Sequence, residues 1–356
     1  MAVPLPSTTK MNHQEISTLG YNREDQPSAF QLTSRRQFLR NASAVSFAAA
    51  ASFSVMGRSA EAELKPVPRS GSSMLKVSIN AFSFSRMLNS KVKHGKDGMD
   101  MFGLVDFCAK NNIDGVDATG YFFPGFPDAP ADSYLYDLKR HAFESGVGIS
   151  GTGARNNFTT ADKAQRAADV KIVKDWVVCA SKMGAPVLRV FADTQMRAKT
   201  WRDVAPGATR EQVQEWIAAD LRECTAFGKE HGVIIGVQNH GDFLRTADDL
   251  IQLVGMVDSP WCGAIVDTGY FRSEDPYKDM EKAAPYAVNW QVKQSAFGAA
   301  SDVKLDLKRL LHIVRASGYS GYLPIETLSV PNKPYDPYQI VPAFAKELKQ
   351  AITETA

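Results

Sequence analysis

From Leu75 onward, short apolar runs alternate with longer stretches in which apolar residues recur at helical spacing. Apolar residues at every third or fourth position predict an amphipathic helix, whereas a short continuous apolar run predicts a buried strand. The clearest helices are predicted over 161–183, 210–231 and 337–352. Strands are predicted over 76–82, 115–118, 148–152, 186–191, 233–237, 263–266, 287–292 and 321–325.

Glycine marks the passage from helix to strand at Gly146, Gly184, Gly232 and Gly318. A glycine in the left-handed conformation is a common way for a helix to end and the chain to turn back. The repeated βα units predict an α/β fold, a single-domain (β/α)8 TIM barrel over 75–356. The alternative is a doubly wound open sheet, which would normally carry a glycine-rich phosphate loop after its first strand. The sequence has no such loop.

The N-terminal region is predicted to lie outside this domain. Arg35 and Arg36 precede a mildly apolar stretch, 41–56, and Ala60-Glu61-Ala62 fits a cleavage site. We interpret residues 1–62 as a twin-arginine signal peptide and leader, and residues 63–74 as a linker. The expected location is periplasmic or secreted, with the twin-arginine translocase as a partner and no stable membrane anchor. The alternative is a tail with a chance arginine pair.

Overall charge excludes some classes of partner. The net charge is +2 and no long basic tract is present, so nucleic acid is not an expected ligand. The four cysteines form no CxxC pair, and we interpret them as buried apolar residues, with a structural disulfide as the alternative.

Polar side chains stand where the last four predicted strands end. Because parallel barrel strands open on one face at their carboxyl ends, these side chains are expected to share a site. Such a set suits a hard divalent cation and a polyhydroxylated substrate. The residues are Gln238, Asn239, His240, Asp267, Gln291, Lys293 and Glu326.

These strand ends resemble the xylose-isomerase-like sugar phosphate isomerase/epimerase superfamily over nearly all of 75–356. The resemblance implies metal ligands at positions 238, 267, 291 and 326. Asp267 and Glu326 keep the family's residues, but Gln238 stands where the family carries Glu, and Gln291 where it carries His. Asn239, His240 and Lys293 also match the family pattern.

The cofactor implied by this resemblance is a divalent metal, Mn²⁺ or Mg²⁺, held by Gln238, Asp267, Gln291 and Glu326. An amide oxygen is a legitimate but neutral ligand for such ions, so weaker binding is expected. A metal-free polar barrel mouth is the alternative. An amide cannot replace a carboxylate as a general base, and losing such a base costs roughly 10²–10⁴ in rate.

Catalytic roles are therefore predicted for Glu326, His240 and Lys293. Lys293 would stabilise an enolate or bind a substrate oxygen, unless it forms a buried ion pair. His240 would act as an acid–base group or contact substrate, unless it is a structural hydrogen-bonding residue. Substrate binding is predicted for Asn239, Arg189, Asn156 and Trp290. Arg189 would either point into the barrel mouth or brace a carboxylate such as Asp267.

The predicted function is an exported, metal-assisted sugar isomerase or epimerase that transfers a proton next to a carbonyl. A lyase acting on 3-keto-glycosides needs a single base and is the first alternative. A non-catalytic sugar-binding barrel is the second. The partner is a small carbohydrate, and the sequence leaves open whether the chain forms a homo-oligomer.

Overall fold

Eight parallel strands form a closed barrel in sequence order. The computed structural model describes residues 64–195, 199–298, 301–330 and 333–356, so the predicted signal peptide lies outside the described residues. The strands are β1 (Leu75–Asn80), β2 (Gly115–Asp117), β3 (Gly148–Gly153), β4 (Val187–Phe191), β5 (Ile234–Gln238), β6 (Cys262–Asp267), β7 (Ala287–Lys293) and β8 (Gly321–Glu326). The predicted TIM barrel is confirmed.

Helices surround the barrel and connect successive strands. They are α1 (Ser85–His94), α2 (Met101–Lys110), α3 (Asp132–Glu144), α4 (Lys163–Met183), α5 (Trp201–Val204), α6 (Arg210–His231), α7 (Ala247–Val257), α8 (Pro276–Ala283), α9 (Leu307–Ala316) and α10 (Pro337–Glu354). None of the helices within the described residues combines the length and apolar character that a membrane span requires.

The two longest helices, α4 and α6, begin and end at capping residues. Asp162 and Thr209 cap the starts of α4 and α6 by accepting hydrogen bonds from backbone amides of the first turn. Gly184 and Gly232 end the same helices in the left-handed conformation, with φ of 80° and 69°. Each cap therefore reverses the chain into the next strand, β4 or β5.

Alternation along the strands separates the barrel interior from the helix layer. A strand points successive side chains to opposite faces, so in β7 Gln291 and Lys293 face inward while Trp290 faces the helices. Near the amino ends of the strands, the ring of Tyr322 fills the interior. A Cβ at Gly115 would lie 2.7 Å from Cε1 of that ring, so glycine is required there.

Residues 64–74, predicted to be a linker, have no regular secondary structure but are hydrogen-bonded to the barrel. The backbone amide of Val67 donates to Pro285 O at 3.0 Å, and Arg69 donates to Ser317 O at 2.9 Å. Arg315 donates to Ser73 O at 3.0 Å and to Ile352 O at 2.9 Å. It thus joins the segment before β1 to the last turns of α10 at the amino end of the barrel.

Candidate active site

A cavity of about 520 Å³ lies at the carboxyl ends of the barrel strands. Barrel enzymes build their active sites at this end, and the volume is ordinary for a small-molecule site. The lining residues are Asn80, Phe82, Tyr121, Arg155, Arg189, Phe191, Gln195, Gln238, His240, Tyr270, Gln291, Lys293, Glu326 and Leu328. We call it the candidate active site.

The four predicted ligand positions converge at this end of the barrel. Asp267 is in register with Gln291 across β6 and β7, and Lys293 is in register with Glu326 across β7 and β8. Nε2 of Gln238 donates to Oδ2 of Asp267 at 2.6 Å. Gln238, Gln291 and Glu326 line the cavity, whereas Asp267 is fully buried. The expected convergence is therefore present.

The ammonium group of Lys293 lies between the two carboxylates of this cluster, Asp267 and Glu326. Its Nζ lies 2.7 Å from Oε1 of Glu326 and 3.4 Å from Oδ2 of Asp267. It also lies 5.5 Å from the ring centroid of Tyr270, within the range of a cation–π contact. A Cβ at Gly269 would lie 2.8 Å from Cγ of Lys293, so this glycine makes room for the lysine side chain.

The charges in this cluster stabilise one another. Burial alone would lower the pKa of Lys293, but the negative charges of Asp267 and Glu326 outweigh that effect and raise it. Burial likewise raises the pKa of Asp267, and the positive charge of Lys293 opposes that rise. Lys293 is therefore a cation at neutral pH. The sequence left its role open, and the structure shows an ion pair in the cavity wall.

A buried carboxylate missed in the sequence, Asp117, lies next to Gln291. Nε2 of Gln291 donates to Oδ2 of Asp117 at 3.3 Å, while Oε1 of Gln291 is buried with no hydrogen-bond partner in the described part of the chain. Burial raises the pKa of Asp117 to about 6, and Arg189 opposes the rise. Asp117 ends an apolar strand as Asp267 does, and that signal could have identified it.

His240 is held in a second polar pair. Its Nδ1 lies 2.6 Å from Oδ2 of Asp193, and its ring stacks on Tyr270 with centroids 4.0 Å apart. Because Asp193 engages Nδ1, Nε2 is the ring nitrogen that can exchange a proton with a substrate. Asp193 comes two residues after the end of β4 and was not among the predicted site residues. Its position just past an apolar strand was the available signal.

Arg189 points into the barrel mouth, which was one of its two predicted placements. It donates to the hydroxyl of Tyr121, and its Cζ lies 3.9 Å from the ring centroid of Phe191. A Cβ at Gly153 would lie 2.7 Å from Cζ of Arg189, so the guanidinium depends on that glycine. Nη1 of Arg189 is buried without a hydrogen-bond partner among the described residues, and it is available to a substrate oxygen.

The structure does not bring the other predicted substrate-binding residues to the cavity wall. Asn239 is fully buried and bonds both the backbone N and O of Asp267. Asn156 bonds both the backbone N and O of Phe191 and lines a separate cavity. Trp290 is fully buried in the helix layer, with its ring 6.2 Å from that of Tyr319. The two asparagines therefore brace the backbone, whereas Trp290 packs in the helix layer with its indole N–H unpartnered among the described residues.

The predicted divalent ion does not fit this donor set as the side chains are arranged. Lys293 already places a positive charge between the two carboxylates of the set, Asp267 and Glu326. A divalent ion about 4 Å from that ammonium would be repelled by roughly 8 kcal/mol at an effective dielectric constant of about 20. Gln238 presents its amide hydrogens, not its oxygen, to Asp267. Within the described residues, no group of three or more His, Cys, Asp or Glu side chains could hold a metal ion.

The sequence matches the model of a known protein family. The sequence model of the family described as xylose isomerase-like TIM barrel matches residues 105–348, more than half of the chain. The chain belongs to the xylose isomerase-like TIM barrel family. The TIM barrel of this family agrees with the closed barrel described above. No curated protein matches the sequence significantly.

Solved structures share the fold of this xylose isomerase-like barrel at low sequence identity. They include 3-keto-D-glucoside 4-epimerase from E. coli, with 14% identity and a TM-score of 0.59 over 79% of this chain and 99% of that chain. D-psicose 3-epimerase from Clostridium cellulolyticum H10 has 13% identity and a TM-score of 0.61, over 79% and 98%. An L-ribulose 3-epimerase has 15% identity and a TM-score of 0.63, over 79% and 96%.

Proposed function

We propose that the protein is a sugar isomerase or epimerase that transfers a proton at the carbon next to the carbonyl of a keto sugar. The observation that carries this proposal is the presence of two proton-transfer groups, Glu326 and His240, in the wall of one polar cavity. The family membership and the epimerase activities named for the similar structures support the same class of reaction.

The two groups approach the cavity from different sides. Glu326 ends β8 and His240 follows β5, so two strands separate them around the ring. His240, oriented by Asp193, supplies the acid–base group that the amide of Gln238 cannot supply. Removing a proton on one side and returning one from another inverts a carbon centre, and this arrangement suits epimerisation.

Unpaired polar atoms in the cavity suit the hydroxyl-rich surface of a sugar. Nη1 of Arg189 offers a donor and Oε1 of Gln291 offers an acceptor, and both are buried without partners in the part of the chain described. Such groups are costly to bury unless a ligand satisfies them. A sugar hydroxyl can serve either atom, because it donates and accepts.

A lyase acting on 3-keto-glycosides is the second candidate. A neighbouring cavity of about 240 Å³ shares Lys293, Glu326 and Leu328 with the candidate active site. The shared residues lie where the two cavities meet, so a glycoside could place its oxidised ring in one cavity and its aglycone in the other. The 3-keto-D-glucoside named for one similar structure is consistent with a substrate of this kind.

Incubation with candidate substrates in deuterated water separates these functions. Ketoses and 3-keto-glucosides are mixed with the protein and followed by NMR. Deuterium incorporation next to the carbonyl, with formation of the isomer, supports isomerase or epimerase activity, and aglycone release supports the lyase. If neither reaction occurs, or if the variants Glu326→Gln and His240→Gln react as fast as the wild type, the proposed function is wrong.

Export by the twin-arginine pathway is part of the proposal and rests on the sequence of residues 1–62. Replacing Arg35 and Arg36 by lysine together should retain the protein in the cytoplasm, because the pathway reads the arginine pair. Fractionation of cells that express the two forms measures this directly. Equal amounts of both forms outside the cytoplasm would contradict export by this route.

A further inference from the structure

We infer that the ammonium group of Lys293 takes the place of a resident divalent ion in this barrel. It neutralises Asp267 and Glu326 in the resting protein and presents a positive charge to the carbonyl oxygen of the substrate. The first part rests on the geometry alone, whereas the second part rests on the proposed function.

The position of Lys293 is built into the fold. The residue ends β7 in register with Glu326, and its side chain is only 6% exposed. Two carboxylates and the face of Tyr270 surround the ammonium, and the gap at Gly269 accommodates the aliphatic part of the side chain. A cation held from several directions is pre-organised, and a pre-organised charge stabilises an oxyanion without reorganising during the reaction.

The two glutamines complete the same arrangement. Gln238 donates to Asp267, and Gln291 donates to Asp117. Each amide thus supplies hydrogens to a buried carboxylate, and Oε1 of Gln291 has no hydrogen-bond partner among the described residues. The carboxylates of Asp267 and Asp117 therefore accept N–H hydrogen bonds from the two glutamines, and Lys293 supplies the positive charge beside Asp267 and Glu326.

The chemistry needs no group beyond this chain. A base in the cavity, His240 or Glu326, takes the proton from the carbon next to the carbonyl. The electrons of that C–H bond form a carbon–carbon double bond, and the carbonyl π electrons move onto oxygen. Lys293 donates a hydrogen bond to the resulting enolate oxygen. Return of a proton to carbon reverses these shifts, so atoms and electrons balance and nothing is oxidised.

Metal binding tests the first part without any substrate. The full chain is stripped with EDTA, dialysed and titrated with Mn²⁺, and free Mn²⁺ is followed by electron paramagnetic resonance. We expect no saturable site in the wild type. Lys293→Met should bind one equivalent at least about 100-fold more tightly, because two buried carboxylates then lack a cation. Lys171→Met, the same change on the exposed face of α4, should behave as the wild type.

A wild-type protein that binds one equivalent of Mn²⁺, and loses it in Asp267→Asn, would overturn the inference. So would a folded Lys293→Met that binds Mn²⁺ no better than the wild type. Circular dichroism checks folding, and if Lys293→Met does not fold, the wild-type titration decides alone.

Activity separates this inference from the proposed function. If a substrate is found, the EDTA-stripped wild type should keep its full rate, and loss of rate that Mn²⁺ restores would refute the role of Lys293. If no sugar reacts, the proposed function fails. The Mn²⁺ titration still shows whether Lys293 prevents a divalent ion from binding between Asp267 and Glu326.

Discussion

Asp193→Asn tests whether His240 is a working acid–base group. The substitution keeps the size of the side chain but removes the negative charge 2.6 Å from Nδ1 of His240. The carboxylate holds the hydrogen on Nδ1 and so fixes the ring orientation in which Nε2 can exchange a proton with the substrate. Because a well-placed general acid–base group contributes roughly 10²–10⁴ in rate, kcat should fall by roughly 10²–10³ when the ring loses this support.

The matched control is Asp106→Asn on the surface. Asp106 makes the same kind of contact, 2.7 Å from Nε2 of His141, but both side chains are substantially exposed and far from the cavity wall. An exposed pair contributes about 0–1 kcal/mol, so neither kcat nor stability should change appreciably.

The assay is the initial rate of deuterium incorporation into a turned-over keto sugar, measured by NMR at saturating substrate. A change in kcat with little change in KM is expected, since Asp193 acts through His240. Asp193 also accepts from the backbone amide of Gln195 at 2.9 Å, so thermal melting must show that the variant is folded. A folded Asp193→Asn with kcat within about threefold of the wild type would refute a proton-transfer role for His240.

Further predictions concern packing and thiols. Gly153→Ala should displace the guanidinium of Arg189, because the new Cβ would lie 2.7 Å from its Cζ. Steady-state kinetics should then show a loss of at least ~10-fold in kcat/KM, which corresponds to the loss of one hydrogen bond to the substrate. Gly255→Ala, on α7 with its nearest new contact at an ordinary 3.5 Å, should raise the free energy of unfolding by about 0.5–1 kcal/mol, and an unchanged or lower denaturation midpoint would contradict this reasoning. Trp290→Phe should lower the melting temperature yet leave kcat/KM unchanged, because Trp290 packs in the helix layer; a large kinetic defect in a stable variant would show that it contacts substrate after all. The four cysteines are buried free thiols, and burial raises the pKa of Cys108 to about 12, so a thiol reagent should label none in the native protein and all four after unfolding without reductant; fewer than four would reveal a disulfide.

The secondary structure was predictable because its signals are local. The helix predicted over 210–231 is α6, Arg210–His231, and each of the eight predicted strands overlaps an observed one. Amphipathic spacing, threonine or aspartate at the first cap and glycine at the last act within a few residues. The barrel then followed from counting repeated units.

Convergence of the strand ends was predictable for a different reason, since the geometry of the barrel brings them together whatever their side chains are. The partners within the site were not predictable. Asp193 reaches His240 from the neighbouring strand, and Asp117 meets Gln291 across the interior of the barrel. Such pairs depend on register, side-chain length and depth, which a single sequence does not reveal.

Orientation within a strand limited the remaining predictions. Trp290 lies between Gln291 and Asn289 along β7, and the alternation that turns Gln291 inward turns Trp290 outward. Asn239 and Asn156 look like substrate-binding residues by chemistry, but their amides are bonded to the backbone of Asp267 and Phe191. Residue type alone therefore did not distinguish a side chain that braces the backbone from one that faces the cavity.

Arg315 holds the segment at Ser73 and the last turns of α10 together, on the side of the barrel away from the cavity mouth. A bead, electrode or fluorescent partner attached after Ala356 would therefore stand behind the enzyme, with the entrance facing free solution. An immobilised preparation tethered in this way should leave the cavity mouth open to small molecules in solution.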